Sequence, residues 1–296
     1  MPADLIVSGR ERRAVGRAMG SDYLVVVHER DAGLVADVRV ELAGLEQRWS
    51  RFLADSEISM LNRAEGRPVI VSPETFAVVA DAVEGSRATQ GRFDPTVHDA
   101  LVGLGYDRTF EQIADIDGIE AAAGTPTAAP GVAAIRLDEQ LHAITLPRGV
   151  RLDLGGIGKG AAADLLCDRL IERGARGAAV SIGGDTRVRG ESPSGGTWRA
   201  THEGEPLDLP PLVDGGVCTS AITKRRWQVG GATHHHLVDP RSGESLDPTI
   251  DSVTVVGATA AQAEVLAKAA MVAGRAAPAL LAGFGVAAVI RWATNH

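Results

Sequence analysis

Cysteine is scarce: Cys167 and Cys218 are the only two, far apart and in no C-x-x-C pair. A disulfide framework is therefore not indicated. Cys167 falls on the apolar face of an expected helix and reads as core. Basic residues form no dominant cluster, and the net charge is −8, which argues against nucleic acid as a partner. Long apolar runs are missing too. The longest mostly apolar stretch, residues 276–290, is interrupted by Pro278, Gly283 and Gly285 and is too short to span a bilayer. The opening Met-Pro-Ala-Asp-Leu-Ile-Val-Ser-Gly-Arg lacks the charged and apolar regions of a secretory signal and has no early cysteine to lipidate. The expectation is a soluble, cytoplasmic protein with no membrane span. No repeat of short period is visible.

What is present is a chain of 296 residues, 45% hydrophobic. That suffices for a substantial core in one large domain or two intimately joined ones. We read residues 1–296 as a single domain, with a flexible connection at 116–133, where Ala, Gly, Thr and Pro dominate.

Residues 152–190 organise the chain. Leu152 to Leu154 gives a short strand signal, and Gly155-Gly156-Ile157-Gly158-Lys159-Gly160 a turn with four glycines and one cation. A helix follows, with Ala163, Leu166, Cys167, Leu170 and Ile171 on one face and Gly174 as its stop. Residues 178–182 form the next strand, broken by Gly183-Gly184-Asp185. A strand, a glycine turn with a lysine and a helix N-terminus together suit a phosphate, because free amides and the helix dipole favour an anion. The alternative is a purely structural turn. The segment is not a Walker A loop, since Gly160 follows Lys159 in place of Ser or Thr. It also fails the G-x-G-x-x-G dinucleotide fingerprint.

Elsewhere, residues 23–27 read as a strand, and Val35, Val38, Leu42, Leu45 and Trp49 as one face of an amphipathic helix. A cap and short helix are expected over 55–62. Ser72-Pro73 opens another helix, whose buried face would be Phe76, Val79, Ala80 and Val83, with Gly91 closing it. Asp94-Pro95-Thr96 has the composition of a turn. Residues 135–137 and 143–146 suggest a hairpin, 198–202 a weak strand, 217–220 and 253–256 stronger ones. Lys224-Arg225-Arg226 is a short cationic stretch. Helix 260–273 carries a capping box, Thr259 with Gln262, and Gly274 as its stop. Strands and helices intermixed, with hairpins, favour an α+β fold.

His234, His235 and His236 invite a metal reading, but neighbours on a strand point to opposite faces, so the three cannot chelate one ion from a regular strand. No other His or Cys has metal-site spacing to them. His236, three residues before Asp239, is a candidate general base, because imidazole titrates in the useful range and a carboxylate can orient it. The bland alternative is a strand-end histidine beside a turn aspartate.

Several stretches resemble those of the ApbE family, the FAD:protein FMN transferases. They are Met19-Gly20-Ser21; Ser50-Arg51-Phe52 with Asp55-Ser56-Glu57-Ile58-Ser59 and Leu61-Asn62; and Gly91-Arg92-Phe93-Asp94-Pro95-Thr96-Val97. To these add Asp153-Leu154-Gly155-Gly156-Ile157-Gly158-Lys159-Gly160 with Asp164, then Gly183-Gly184-Asp185, Thr219-Ser220, and His236-Leu237-Val238-Asp239-Pro240-Arg241-Ser242-Gly243. They occur in the family's order and span residues 19–274.

The resemblance implies a T-fold-related architecture of two mixed α/β halves around an FAD cleft. It implies that FAD is bound with a divalent cation, usually Mg2+, and that FMN is moved onto a Thr or Ser hydroxyl of a target flavoprotein, with release of AMP. Carried over by position, Met19, Phe93 and Asp94 would touch the flavin, and Lys159, Asp164, Thr219 and Ser220 would belong to the FAD pocket. The Ala162 carbonyl would face the metal, and His236, with Asp239, would be catalytic. The sequence departs from the family at the last motif, where an Asp and a Thr four residues apart serve as metal ligands. Here they are Glu264 and Lys268. An ammonium cannot ligate a metal. The pair reads as an ordinary surface Glu–Lys pair, as a lysine standing in for the cation, or as a mark of FAD binding without transfer. A non-catalytic FAD-binding protein and a hydrolase giving FMN and AMP are thus the rival functions.

Overall fold

The computed structural model describes residues 7–8, 11–28, 32–114, 126–202, 205–223, 225–229, 231–247 and 249–293. Its frame is an eight-stranded sheet. We number its strands β1 (Val7–Ser8), β2 (Glu11–Ala18), β3 (Ser21–His28), β4 (Gly177–Ile182), β5 (Asp185–Gly190), β6 (Asp214–Ala221), β7 (Ile250–Gly257) and β8 (Ala288–Trp292). The strands lie side by side in chain order, each antiparallel to the next. Sequence neighbours therefore pair, and everything else enters as insertions between strands.

The β3–β4 insertion carries helices α1 (Val38–Trp49), α2 (Glu57–Asn62), α3 (Pro73–Ala88), α4 (His98–Gly103), α5 (Phe110–Ala114) and α6 (Gly158–Glu172). It also holds a three-stranded ribbon that includes the expected hairpin, Arg136–Asp138 against Ala143–Thr145. The β6–β7 insertion holds the hairpin Arg226–Val229 with Ala232–His235. Helices α7 (Ala260–Ala273) and α8 (Ala277–Gly283) link β7 to β8. The α+β reading holds, as a two-lobed arrangement.

In β3 the alternation is plain: Tyr23, Val25 and Val27 are buried, while Leu24 is exposed. On the covered face, α6 packs across β4 and β5, α7 across β6 and β7, and the two helices pack on each other. The expected core face of α6 is present, except that Ala162 replaces Ile171 among its buried residues. Helix α3 is rotated from expectation. Thr75, Val78, Val79, Ala82, Val83 and Ser86 are buried, whereas Phe76 and Ala80 are only half-buried. The Trp49 indole donates to Thr75 Oγ1 at 3.1 Å, which draws that side of the helix inward.

One expectation fails for a tertiary reason. Leu152 to Leu154 is not a strand; the segment is irregular, and Asn62 satisfies both the amide and the carbonyl of Leu152. Part of the connection at 116–133 lies outside the described residues, but 126–133 is tied down, with Ala129 N donating to Pro240 O at 2.7 Å and Gly131 N to Thr96 Oγ1 at 3.0 Å. Among the described residues, Ala260–Gly283 is long and apolar enough to cross a membrane, whereas the sequence reading found no run of that length. It is broken at Gly274, where φ is +56°, and α7 is core.

Candidate functional site

The chain enters α6 through the glycine turn, and the turn's amides are largely engaged at home. Gly155 N donates to Asp153 Oδ1 at 2.6 Å, and Ile157 N and Gly158 N to Leu154 O at 3.1 and 2.7 Å. Gly160 N donates to Glu264 Oε2 at 2.8 Å. The expected cradle of free amides is therefore replaced by side-chain charge.

That charge is a buried cluster. The Lys159 ammonium bonds Asp185 Oδ2, and it donates to Glu264 Oε1 at 2.7 Å. Lys268 donates to the same Glu264 oxygen at 3.0 Å. Glu264 has 0% exposure, so it belongs to no surface pair. Burial pushes its carboxyl up, but Lys159 and Lys268 outweigh this and hold it at about 2. Burial works against the Lys159 ammonium, yet Asp185 and Glu264 hold its pKa above the ordinary lysine value. Burial raises the Asp185 carboxyl, with Lys159 opposing. Lysine is rare here: the chain has three, and two of them meet on this carboxylate.

The cluster borders a cavity of about 990 Å³ between the sheet–helix layer and the two large insertions. Met19, Phe93, Asp94, Lys159, His236 and Lys268 line it. Met19 closes the β2–β3 turn with φ +54°, a conformation rare without glycine. Asp94 Oδ1 accepts from Thr96 N and Oγ1 at 2.8 and 2.6 Å, and burial pushes its pKa up against those bonds.

Other sequence-selected residues do not line the cavity. Asp164 accepts from the amides of Ala260 and Ala261, both at 2.8 Å, and pairs with Arg187 at 3.1 Å; it caps α7. Burial pushes its carboxyl to about 6, against the Ala261 and Ala260 amides and Arg187. Thr219 Oγ1 meets Thr254 Oγ1 at 2.9 Å across β6 and β7, and Ser220 is buried in β6. Ala162 is wholly buried in α6. Lys224 lies outside the described residues.

His236 follows the strand Ala232–His235 and reaches the cavity wall. Its Nδ1 is buried without a hydrogen-bond partner. Burial, then the cations Arg225, Lys268 and Lys159, hold its pKa well below 6.5, so the ring is neutral. Asp239 does not orient it. The Asp239 carboxylate accepts from Arg241 N, Nε and Nη2 at 2.9, 3.0 and 2.7 Å, which closes the following turn instead. His235 is structural: its ring bonds Leu246 O at 3.1 Å and accepts from Leu237 N at 3.3 Å.

Magnesium does not fit these residues. Both Glu264 oxygens are occupied, by two ammoniums and an amide, and an incoming ion would meet Lys268. Among the described residues no group of three or more His, Cys, Asp or Glu could hold a metal. Glu264 is therefore a partner of Lys159 and Lys268 rather than a metal ligand.

Sequence reasoning gave no role to two cavity residues, Arg51 and Arg225. Arg51 pairs with Asp153 at 2.5 Å, donates to Tyr106 O at 2.6 Å, and lies over the rings of Phe52 and Tyr106 at 4.2 and 4.9 Å. Arg225, with φ +50°, donates to Gly20 O and Ser21 Oγ, both at 3.3 Å. The only signals were the Ser50-Arg51-Phe52 stretch and the cationic run before Trp227.

The sequence model of the ApbE family matches residues 19–290. A Klebsiella pneumoniae (strain 342) protein named FAD:protein FMN transferase is 30% identical over 245 residues, covering 80% of this chain and 75% of its own. A Vibrio cholerae protein of the same name is 25% identical over 287 residues, 91% of this chain and 85% of its own. Among solved structures, the Pseudomonas stutzeri flavinyl transferase ApbE in its apo form superposes with a TM-score of 0.77 at 25% identity, over 96% of this chain and 93% of that one. The Thermotoga maritima apbe protein matches in fold with a TM-score of 0.78 at 24% identity, over 95% and 94% of the two chains.

Proposed function

The chain belongs to the ApbE family, and we propose that it is an FAD:protein FMN transferase, taking FAD as substrate and a Thr or Ser hydroxyl of a target flavoprotein as acceptor. The observation that carries this reading is the His236 ring. It is neutral, its Nδ1 is unbonded, and it faces a cavity walled on another side by ammoniums. An alcohol is a weak nucleophile until a base removes its proton, and a neutral imidazole held below its ordinary pKa is in the base form at neutral pH.

In the proposed reaction the acceptor oxygen bonds to the phosphorus that bears riboflavin. The bond from that phosphorus to the bridging oxygen breaks, and AMP leaves with the bridging oxygen. His236 takes the hydroxyl proton. Negative charge grows on the leaving phosphate, where Lys159 and Lys268 offset it. The apolar and aromatic wall of Met19, Phe93, Phe52 and Tyr106 suits a flavin ring.

The test incubates the protein with FAD and a threonine-bearing acceptor. The expected result is flavin fluorescence on the denatured acceptor together with one AMP per label. AMP and FMN without labelled acceptor would identify a hydrolase, and neither product would leave a flavin-binding protein.

A further inference from the structure

We propose that Lys268 is a built-in cation for the substrate diphosphate, so that this protein binds FAD without a divalent metal. The inference rests on the transferase reading and begins from the misfit of magnesium at Glu264.

Glu264 Oε1 receives two ammoniums, from Lys159 at 2.7 Å and Lys268 at 3.0 Å. Asp185 partners Lys159 as well, whereas Lys268 pairs with Glu264. An ammonium has three donors, so Lys268 retains two for an incoming acceptor. It is placed to use them, because Lys268 and Val272, one helical turn apart on α7, both line the cavity. Its counter-charge is the wholly buried Glu264, which anchors the ammonium at the cavity edge.

The backbone makes room for this arrangement. A Cβ on Gly156 would stand 2.9 Å from Phe93 Cε2 and 3.3 Å from Lys268 Cδ. Only a glycine there lets the lysine stem and the phenyl ring close on the turn. The neighbouring amides of Gly155, Ile157, Gly158 and Gly160 are already bonded within the protein. An anion entering here therefore meets side-chain cations. Arg225, Lys268 and Lys159 all line the cavity that His236 faces, so a diphosphate entering there has cationic donors within reach. A lysine supplies a point charge and hydrogen bonds, not a metal's coordination geometry.

The test measures Kd for FAD, ADP and riboflavin by fluorescence or calorimetry, in EDTA and in excess magnesium. The wild type, Lys268→Met, Lys268→Arg and the double variant Glu264→Asp with Lys268→Thr are compared, each checked by thermal melting. The wild type is expected to bind FAD equally in both buffers. Lys268→Met should weaken FAD and ADP by at least about tenfold, the low end for a charged hydrogen bond, and leave riboflavin unchanged. Lys268→Arg should recover part of the loss, and the double variant should bind FAD better with magnesium than without. Collapse of wild-type FAD binding in EDTA overturns the proposal, as does wild-type affinity in Lys268→Met; acceptor labelling by the wild type would then leave the transferase reading standing. Should Lys268→Met fail to fold, the EDTA comparison and the double variant decide. A wild type that binds no FAD in either buffer overturns both readings.

Discussion

The amide of Gly160 donates to Oε2 of Glu264 at 2.8 Å, joining the first turn of α6 to the side of α7. The contact is possible because residue 160 has no side chain: a Cβ would lie 2.6 Å from Ala260 C and O and 2.7 Å from Ala261 N. Those are backbone atoms, so the helices themselves would have to separate. Gly160→Ala is expected to destabilise the fold by about 1–3 kcal/mol and to weaken FAD binding by loosening Glu264 and its two lysines. An unchanged denaturation midpoint would refute this.

His236→Ala should keep FAD binding, because the ring contributes no charge at neutral pH. Transfer should fall by about 10²–10⁴, the usual worth of a general base. Single-turnover labelling of the acceptor measures it, and a wild-type rate would remove His236 from the mechanism.

The pH profile should show the same group. His236 is held well below 6.5, by burial first and then by Arg225, Lys268 and Lys159. The base form persists as pH falls through 6.5, so transfer at saturating FAD should stay flat there and decline only at lower pH. Stability follows the linked sign. Below 6.5 the unfolded chain takes up a proton that the folded chain resists. The contribution is thus full above 6.5 and is lost as pH falls beneath it. His236→Ala should lessen that loss in denaturation curves taken on either side of 6.5; an acid limb of transfer centred at or above 6.5 would contradict the assignment.

Asp164 offers a contrast, since its carboxylate serves the amides of Ala260 and Ala261 and the guanidinium of Arg187. Asp164→Ala should cost about 1–2 kcal/mol for the lost cap, and more because Arg187 loses a partner. FAD affinity in the folded variant should match the wild type. A selective loss of affinity without loss of stability would return Asp164 to the pocket.

Much of the local structure was legible in the sequence because it depends on near neighbours. Thr259 caps α7 through Gln262 N, Gln262 Oε1 in turn accepts from Ala258 N, and Gly274 ends the helix at φ +56°. The core faces of α1 and α6 follow from the helical period. By contrast, β2 went unseen, because Glu11–Ala18 buries only Ala14 and Ala18 and is held by its ladder to β3.

The sequence by itself determined the α+β class, the cap of α7, the stops of α6 and α7, and the ordered motifs that mark the family. Each rests on contacts within a few residues or on the order of residue types. Only the tertiary structure decided where the charged side chains point. Asp164 turns to amides 96 and 97 residues away. Glu264, which spacing alone pairs with Lys268 on a helix face, is buried because α6 lies over it and brings Lys159 from 105 residues away. A carboxylate's direction is set by whichever donors the packing of other elements presents, and a linear sequence does not contain that packing.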